Sequence, residues 1–177
     1  MSRTKKICYL SMLTALYVVL SAFVKINLIG NIQIDLGYIA FAVSLCVFGA
    51  YGTIVGVIGC TLESILFSAY GFSVSWAVAN AIIGIGCGLL YHKNASILWK
   101  SFVTIVFVLL GVLAAKTAIE CCLYSIPVAV KIPKNAVAFA ADSASMIIGL
   151  FIYNRNSIKK NTQSYAASYQ MKKDGAL

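Results

Sequence analysis

An all-α, polytopic membrane protein with six transmembrane helices is the fold the sequence predicts, on three observations. Of the 177 residues, 61% are hydrophobic and only 11% are charged, against roughly 25% charged in a water-soluble domain. Mean hydropathy is +0.91, so lipid is the solvent that suits this chain. The apolar residues are also gathered into runs close to the length of a spanning helix, about 20 residues, and there is room for about six of them with short connections.

Ile7–Val24 is the first run, preceded by Arg3, Lys5 and Lys6. Its length, and a downstream sequence that is itself apolar, set it apart from a cleaved signal peptide. Lys25–Gln33 reads as a loop. Leu36–Ala50 and Tyr51–Phe67 form one stretch too long for a single helix, and Gly49-Ala50-Tyr51-Gly52 is the expected turn inside it. Ser68–Ser73 is a short loop, and Val74–Tyr91 is a fourth span closed by His92-Lys93-Asn94. Trp99–Tyr124 gives the fifth. Pro127 and Pro133 should bracket a connection, because proline has no N–H to give to a helix interior and biases its predecessor towards extended backbone. Lys134–Tyr153 completes six. The chain thus divides into a transmembrane domain over residues 1–153, with spans at about 7–24, 36–50, 51–67, 74–91, 99–124 and 134–153, and a solvated basic tail over 154–177 carrying Arg155, Lys159, Lys160, Lys172 and Lys173.

Basic residues gather on the cytoplasmic side of short loops, and an even number of spans puts both termini on one side. The amino end, the Lys93 and Lys100 connection and the tail are basic, while the other side has only Lys25, Lys131 and Lys134. Both termini are therefore expected in the cytoplasm. The net charge of +9 is then topological, helped by anionic lipid near the tail. Without a nucleic-acid-reading motif it does not point to nucleic acid.

The polar residues inside the spans bear on function. Glu63, Lys116, Glu120 and Asp142 fall in apolar segments, where a charge costs about 2.5–3.5 kcal/mol on insertion scales and usually marks a pathway or a site. With the orientation above, Glu63, Lys116 and Glu120 lie towards the outer ends of their helices, and Asp142 lies about 12 Å in at 1.5 Å per residue. Trp76 and Asn80 occupy the outer half of the fourth span, and Asn27, Asp35, Tyr38 and Tyr70 flank the outer loops. Ionic groups and aromatic faces gathered at one depth suit an externally open pocket for a small solute. The structural alternative is that Lys116 and Glu120, four apart on one helix face, neutralise each other while Glu63 and Asp142 snorkel outward. Lysine before glutamate is the weaker order for such a pair.

Gly49, Gly52, Gly56, Gly59 and Glu63 share a face spanning roughly 80° at 3.6 residues per turn, a close-packing stripe that would turn Glu63 inward. Asn80, Gly84 and Gly88 repeat the spacing. Six cysteines are scattered without paired spacing, and His92 is the only histidine. Neither a metal nor a structural disulfide is expected, no cofactor is implied, and no catalytic side-chain set is visible. The chain is read as no enzyme. With no GxxxxGK[ST] loop, any ATP hydrolysis belongs to other chains.

The helix Ser11-Met-Leu-Thr-Ala15-Leu-Tyr-Val-Val-Leu, the segment Ile34-Asp-Leu-Gly37, the glycine-rich Phe48-Gly-Ala-Tyr-Gly52-Thr-Ile-Val-Gly56-Val-Ile-Gly59 and Ala81-Ile-Ile-Gly-Ile-Gly86-Cys-Gly-Leu-Leu-Tyr91 together resemble the substrate-binding S components of energy-coupling-factor (ECF) vitamin transporters. The resemblance runs over most of residues 5–153. It implies a bundle that captures a vitamin or related micronutrient from outside, docks through its first helix on a transmembrane coupling subunit carried by two ATPase subunits, and topples to release the solute inward. The family's docking pattern, Ala-x-x-x-Ala, corresponds to Ser11 and Ala15. The serine departs from the pattern but remains small. The family's substrate site, beneath the loops between helices one and two and between helices three and four, corresponds to Lys25–Asp35 and Ser68–Ser73. The expected binding residues are Glu63, Trp76, Asn80, Lys116, Glu120 and Asp142, with loop contacts from Asn27, Asp35, Tyr38 and Tyr70. Among solutes, a flavin or other heteroaromatic vitamin is preferred. A membrane assembly or signalling subunit, which needs no polar pocket, and an intramembrane enzyme are the alternatives.

Overall fold

The computed structural model describes residues 2–23, 26–28, 32–67, 73–92, 95–125 and 127–174, and side chains within them outside 26–28, 32–34 and 158–174. It is a helical bundle. Its elements are α1 (Arg3–Phe23), a hairpin of β1 (Ile26–Leu28) and β2 (Ile32–Ile34), α2 (Gly37–Phe48), a 3₁₀ turn (Gly49–Gly52), α3 (Thr53–Phe67), α4 (Val74–Leu90), α5 (Ile97–Val108), a π-helical segment (Leu109–Lys116), α6 (Thr117–Tyr124) and α7 (Val128–Asp174).

Among the described residues, four helical stretches are long and apolar enough to cross a bilayer: Arg3–Phe23, Gly37–Phe67, Ile97–Tyr124 and Val128–Ser157. The sequence suggested six crossings, and two features account for the difference. First, α4 is short, at 17 residues. Second, the Gly37–Phe67 stretch is folded back on itself, into helices of 12 and 15 residues, each below the about 20 that a perpendicular crossing uses.

The fold-back occurs at the expected glycines. Gly49 has φ of 60°, a left-handed conformation that costs glycine little. Beyond it the chain returns against α2, and the Ser44 hydroxyl donates to the Gly52 carbonyl at 3.2 Å. A Cβ on Gly52 would lie 2.7 Å from the backbone of Ser44 and Leu45, and one on Gly88 of α4 would lie 2.6 Å from the backbone of Ala50. The turn is clamped between two helices that only glycine lets approach so closely. Gly49 thus belongs to the turn, while Gly56 and Gly59 make the inward face of α3 against the Phe41 ring and the Tyr17 ring.

The core holds Tyr17, Tyr38, Phe41, Leu45, Ile83, Met146 and Leu150, each essentially inaccessible. Helix α7 packs on α2 and α5, and α1 packs on α2 and α3. The buried residues of α1 are Thr14, Tyr17 and Ser21, at helical spacing, while Ile7, Met12, Leu16, Val19 and Phe23 are exposed. In α1 the usual soluble pattern is inverted, with the polar stripe inward and the apolar face outward, as lipid requires.

Three boundaries differ from the sequence reading. Residues 26–34, expected as a loop, contain an antiparallel hairpin pairing Ile26 with Ile34, Asn27 with Gln33 and Leu28 with Ile32. The alternation of branched and polar residues around Gly30-Asn31 is the signal for it. The fifth helix starts at Ile97, two residues before Trp99, because the Ser96 hydroxyl caps the Trp99 N–H at 3.2 Å. The last helix starts at Val128 and takes in Pro133, so only Pro127 lies outside a helix. At its other end α7 continues through Tyr153 to Asp174.

Candidate functional site

The residues singled out in the sequence fall into two neighbouring groups at the end of the bundle where α1, α3 and α6 finish and α4 and α7 begin. The larger group lies between α4, α6 and α7. Lys116 closes the π-helical segment, is 4% exposed, and donates to Asn135 Oδ1 at 2.6 Å. Its ammonium lies 4.1 Å from the centroid of the Trp76 ring, inside the range where a desolvated cation and an aromatic face attract. Glu120 is one turn further on. Its Oε1 is 3.5 Å from Lys116 Nζ, but its Oε2 is 3.0 Å from Lys131 Nζ, and the Ser75 hydroxyl donates to Oε1 at 3.4 Å.

Lys116 and Glu120 do pair, as the spacing allowed, yet each has a shorter contact elsewhere, which fits the weak order of this helical pair. Asn135 fastens the arrangement, donating to the Thr117 hydroxyl at 2.8 Å. The Thr117 hydroxyl in turn reaches the Val112 carbonyl, five residues back, at 3.4 Å. That contact belongs to the wide π turn, a local geometry found often at functional sites.

The second group sits where α1 meets α2. Asp35 accepts from the Ser21 hydroxyl at 2.6 Å, from the Gly37 N–H at 2.7 Å and from the Tyr17 hydroxyl at 3.2 Å. Burial pushes the Asp35 carboxyl above the usual carboxylate range, the hydrogen bonds from Ser21 and Gly37 pull it back, and the charge of Glu63 raises it further. Glu63 is thus within electrostatic reach of Asp35.

Between the groups, the Tyr38 hydroxyl donates to Asn80 Oδ1 at 2.7 Å, and Asn80 Nδ2 donates to the Gly56 carbonyl at 3.4 Å. This ties α2, α4 and α3 together at full burial. Asp142 is 2% exposed and feels the charges of Asp35 and Lys116. Its Oδ2 has no hydrogen-bond partner among the described residues. An unpartnered buried acceptor is costly, so Asp142 is the strongest candidate here for a group whose partner comes from outside the chain.

Trp76, Lys116 and Glu120 are thus together, Asn80 and Tyr38 bond to each other, and Asp35 is held by Ser21, Gly37 and Tyr17. The side chain of Asn27, and Tyr70 entirely, lie outside the described residues. Ser11 and Ala15 are exposed on α1, in the middle of its apolar outward face. Sequence reasoning missed Ser75, Thr117, Lys131 and Asn135. The four-residue spacing of Lys131 and Asn135 would have revealed them, but Lys131 lay in the supposed loop before Pro133. Among the described residues no His, Cys, Asp and Glu cluster could hold a metal.

The fold is shared with a solved structure described as the S-component for biotin from an ECF-type ABC transporter. The likeness has a TM-score of 0.63 over 89% of this chain and 94% of that one, at 17% sequence identity, and at that identity it bears on the fold. Residues 1–153 match the family described as ECF-type riboflavin transporter, S component. By that match, which takes in every helix of the bundle, this multi-pass membrane protein belongs to the S-component family of ECF-type riboflavin transporters, a family of substrate-specific transport subunits and not of enzymes.

Proposed function

We propose that the chain captures a flavin-like heteroaromatic vitamin, riboflavin first, and carries it across the plasma membrane of a prokaryote as the solute-binding subunit of an ATP-driven ECF importer. The observation that carries this reading is the buried Lys116 ammonium held between the Trp76 ring and Asn135. A planar ring system with carbonyl and imide groups can stack on the indole and exchange hydrogen bonds with the lysine, Asn135 and Glu120. Asn80, Tyr38 and Asp142 line the way inward from them, and Asp35 and Glu63 border the site on the α1 side. With its basic end in the cytoplasm, the polar end opens outward.

Transport needs an energy source, and a coupling subunit borne by two ATPase subunits supplies it. Helix α1 suits docking on that subunit. Ser11 and Ala15 are exposed and small, so a partner helix can approach closely there, flanked by Ile7, Met12, Leu16, Val19 and Phe23.

The test uses the two tryptophans, Trp76 at the polar end and Trp99 at the basic end. Riboflavin titrated into the purified protein should bind saturably and quench indole fluorescence. Quenching should be lost in Trp76→Phe and kept in Trp99→Phe. Failure of riboflavin and of other water-soluble vitamins to bind would overturn the reading in favour of a membrane assembly role.

A further inference from the structure

A second feature lies at the opposite end of the bundle and does not depend on the solute. Where the basic ends of α2, α5 and α7 meet, a crevice is lined by Cys46, Ile97, Lys100, Leu150, Tyr153 and Asn154. Cys46, Ala95, Ile97 and Leu150 line it beside the polar residues Lys100, Tyr153 and Asn154. The Lys100 ammonium is 5.9 Å from the centroid of the Tyr153 ring, at the far limit of a cation–π contact. No carboxylate pairs with it among the described residues.

The charge distribution explains why. Of the five acidic residues, Asp35, Glu63, Glu120 and Asp142 belong to the other half of the bundle and Asp174 ends α7. Arg3, Lys5, Lys6, Lys100 and Arg155 thus crowd one end without a carboxylate in the bundle to balance them. Val47, Leu98, Trp99, Phe102 and Phe151, each within two residues of a crevice residue, are exposed, and tryptophan and tyrosine favour the headgroup level of a bilayer.

We propose that this crevice binds one anionic phospholipid, with its phosphodiester against Lys100, Tyr153 and Asn154 and its acyl chains along the exposed apolar faces of α5 and α7. The chemistry favours a lipid over a free phosphate because a dissolved anion gains nothing from Ile97, Leu150 and Cys46. It favours an anionic over a zwitterionic headgroup because no carboxylate stands by to receive a headgroup ammonium. The lipid supplies the counter-charge that the chain lacks at this end.

The test is native mass spectrometry of the full chain released from vesicles holding equal amounts of phosphatidylglycerol and phosphatidylcholine. Wild type should retain one phosphatidylglycerol. Lys100→Gln should lower retention about fivefold, the effect of one interfacial basic residue, Lys100→Arg should restore it, and Lys5→Gln, at the same end but away from the crevice, should leave it unchanged. Equal losses in K100Q and K5Q would reduce the effect to diffuse surface charge and overturn the proposal. So would equal retention of phosphatidylcholine, or displacement of the lipid by millimolar inorganic phosphate. Unchanged retention in K100Q would do the same.

Discussion

The two ends of the bundle are built on opposite terms. At the basic end, around Gly49–Gly52, helices touch backbone to backbone, with Gly52 against Ser44 and Gly88 against Ala50, and charged groups stay at the periphery. At the other end, Lys116, Glu120, Lys131, Asn135, Asp35 and Asp142 stand between helices that could otherwise pack on apolar side chains. Buried ionic groups are a poor source of stability, since desolvation offsets much of their attraction. The contrast teaches that close backbone packing holds the fold at one end, while the other end gives buried volume to polar groups that add little to stability.

The contrast can be broken most forcefully at the turn. Gly52→Val sets side-chain atoms against the backbone of Ser44 and Leu45, so it should cost more than about 3 kcal/mol. Little folded protein should survive size-exclusion chromatography, and near-native thermal stability of G52V would refute the clamp. Next comes Glu120→Gln, which strips the carboxylate that pairs with both Lys116 and Lys131. A broken buried pair costs about 3–5 kcal/mol, less here because Lys131 is 19% exposed and can turn to water.

Lys116→Met should separate site from scaffold. Glu120 keeps Lys131 at 3.0 Å, so the melting temperature should fall little, while riboflavin affinity should drop about a hundredfold, the loss of one buried charged contact. Calorimetry on the same sample that gives the melt decides the matter, and a large loss of stability with affinity retained would reverse the assignment. The smallest effect is expected midway between the ends. Tyr38→Phe removes one hydroxyl from Asn80 and should cost about 1 kcal/mol in chemical denaturation, whereas a much larger cost would make the Tyr38, Asn80 and Gly56 connection part of the clamp.

Much of this was legible before any coordinates. Lipid as solvent followed from composition, the fold-back from Gly49-Ala50-Tyr51-Gly52, and the gathering of the intramembrane polar residues towards one end from the order of charges. Trp76, Lys116 and Glu120 were readable because charge in an apolar helix is conspicuous. What stayed hidden depends on which helix faces which. Asn135 and Ser75 are unremarkable polar residues until α7 and α4 bring them to Lys116 and Glu120. Lys131 was concealed because Pro133 suggests a loop, yet α7 begins at Val128 and accommodates the ring near its amino end. Neither could the sequence show that Asp35 would be held by Tyr17 and Ser21 of α1, since a shared depth does not fix which helix a side chain meets.

The π-helical segment Leu109–Lys116 has a mechanical corollary. Such a segment accommodates a surplus residue inside an otherwise continuous rod, so its register can be cancelled by removing one amino acid. Deleting Leu110 would let the rod close to ordinary pitch, because the wide turn already takes up the surplus, and the residues beyond it would keep roughly the faces they now present. The indole would then keep its ammonium neighbour, whereas the same deletion in a uniform α-helix would turn everything beyond it by about 100°.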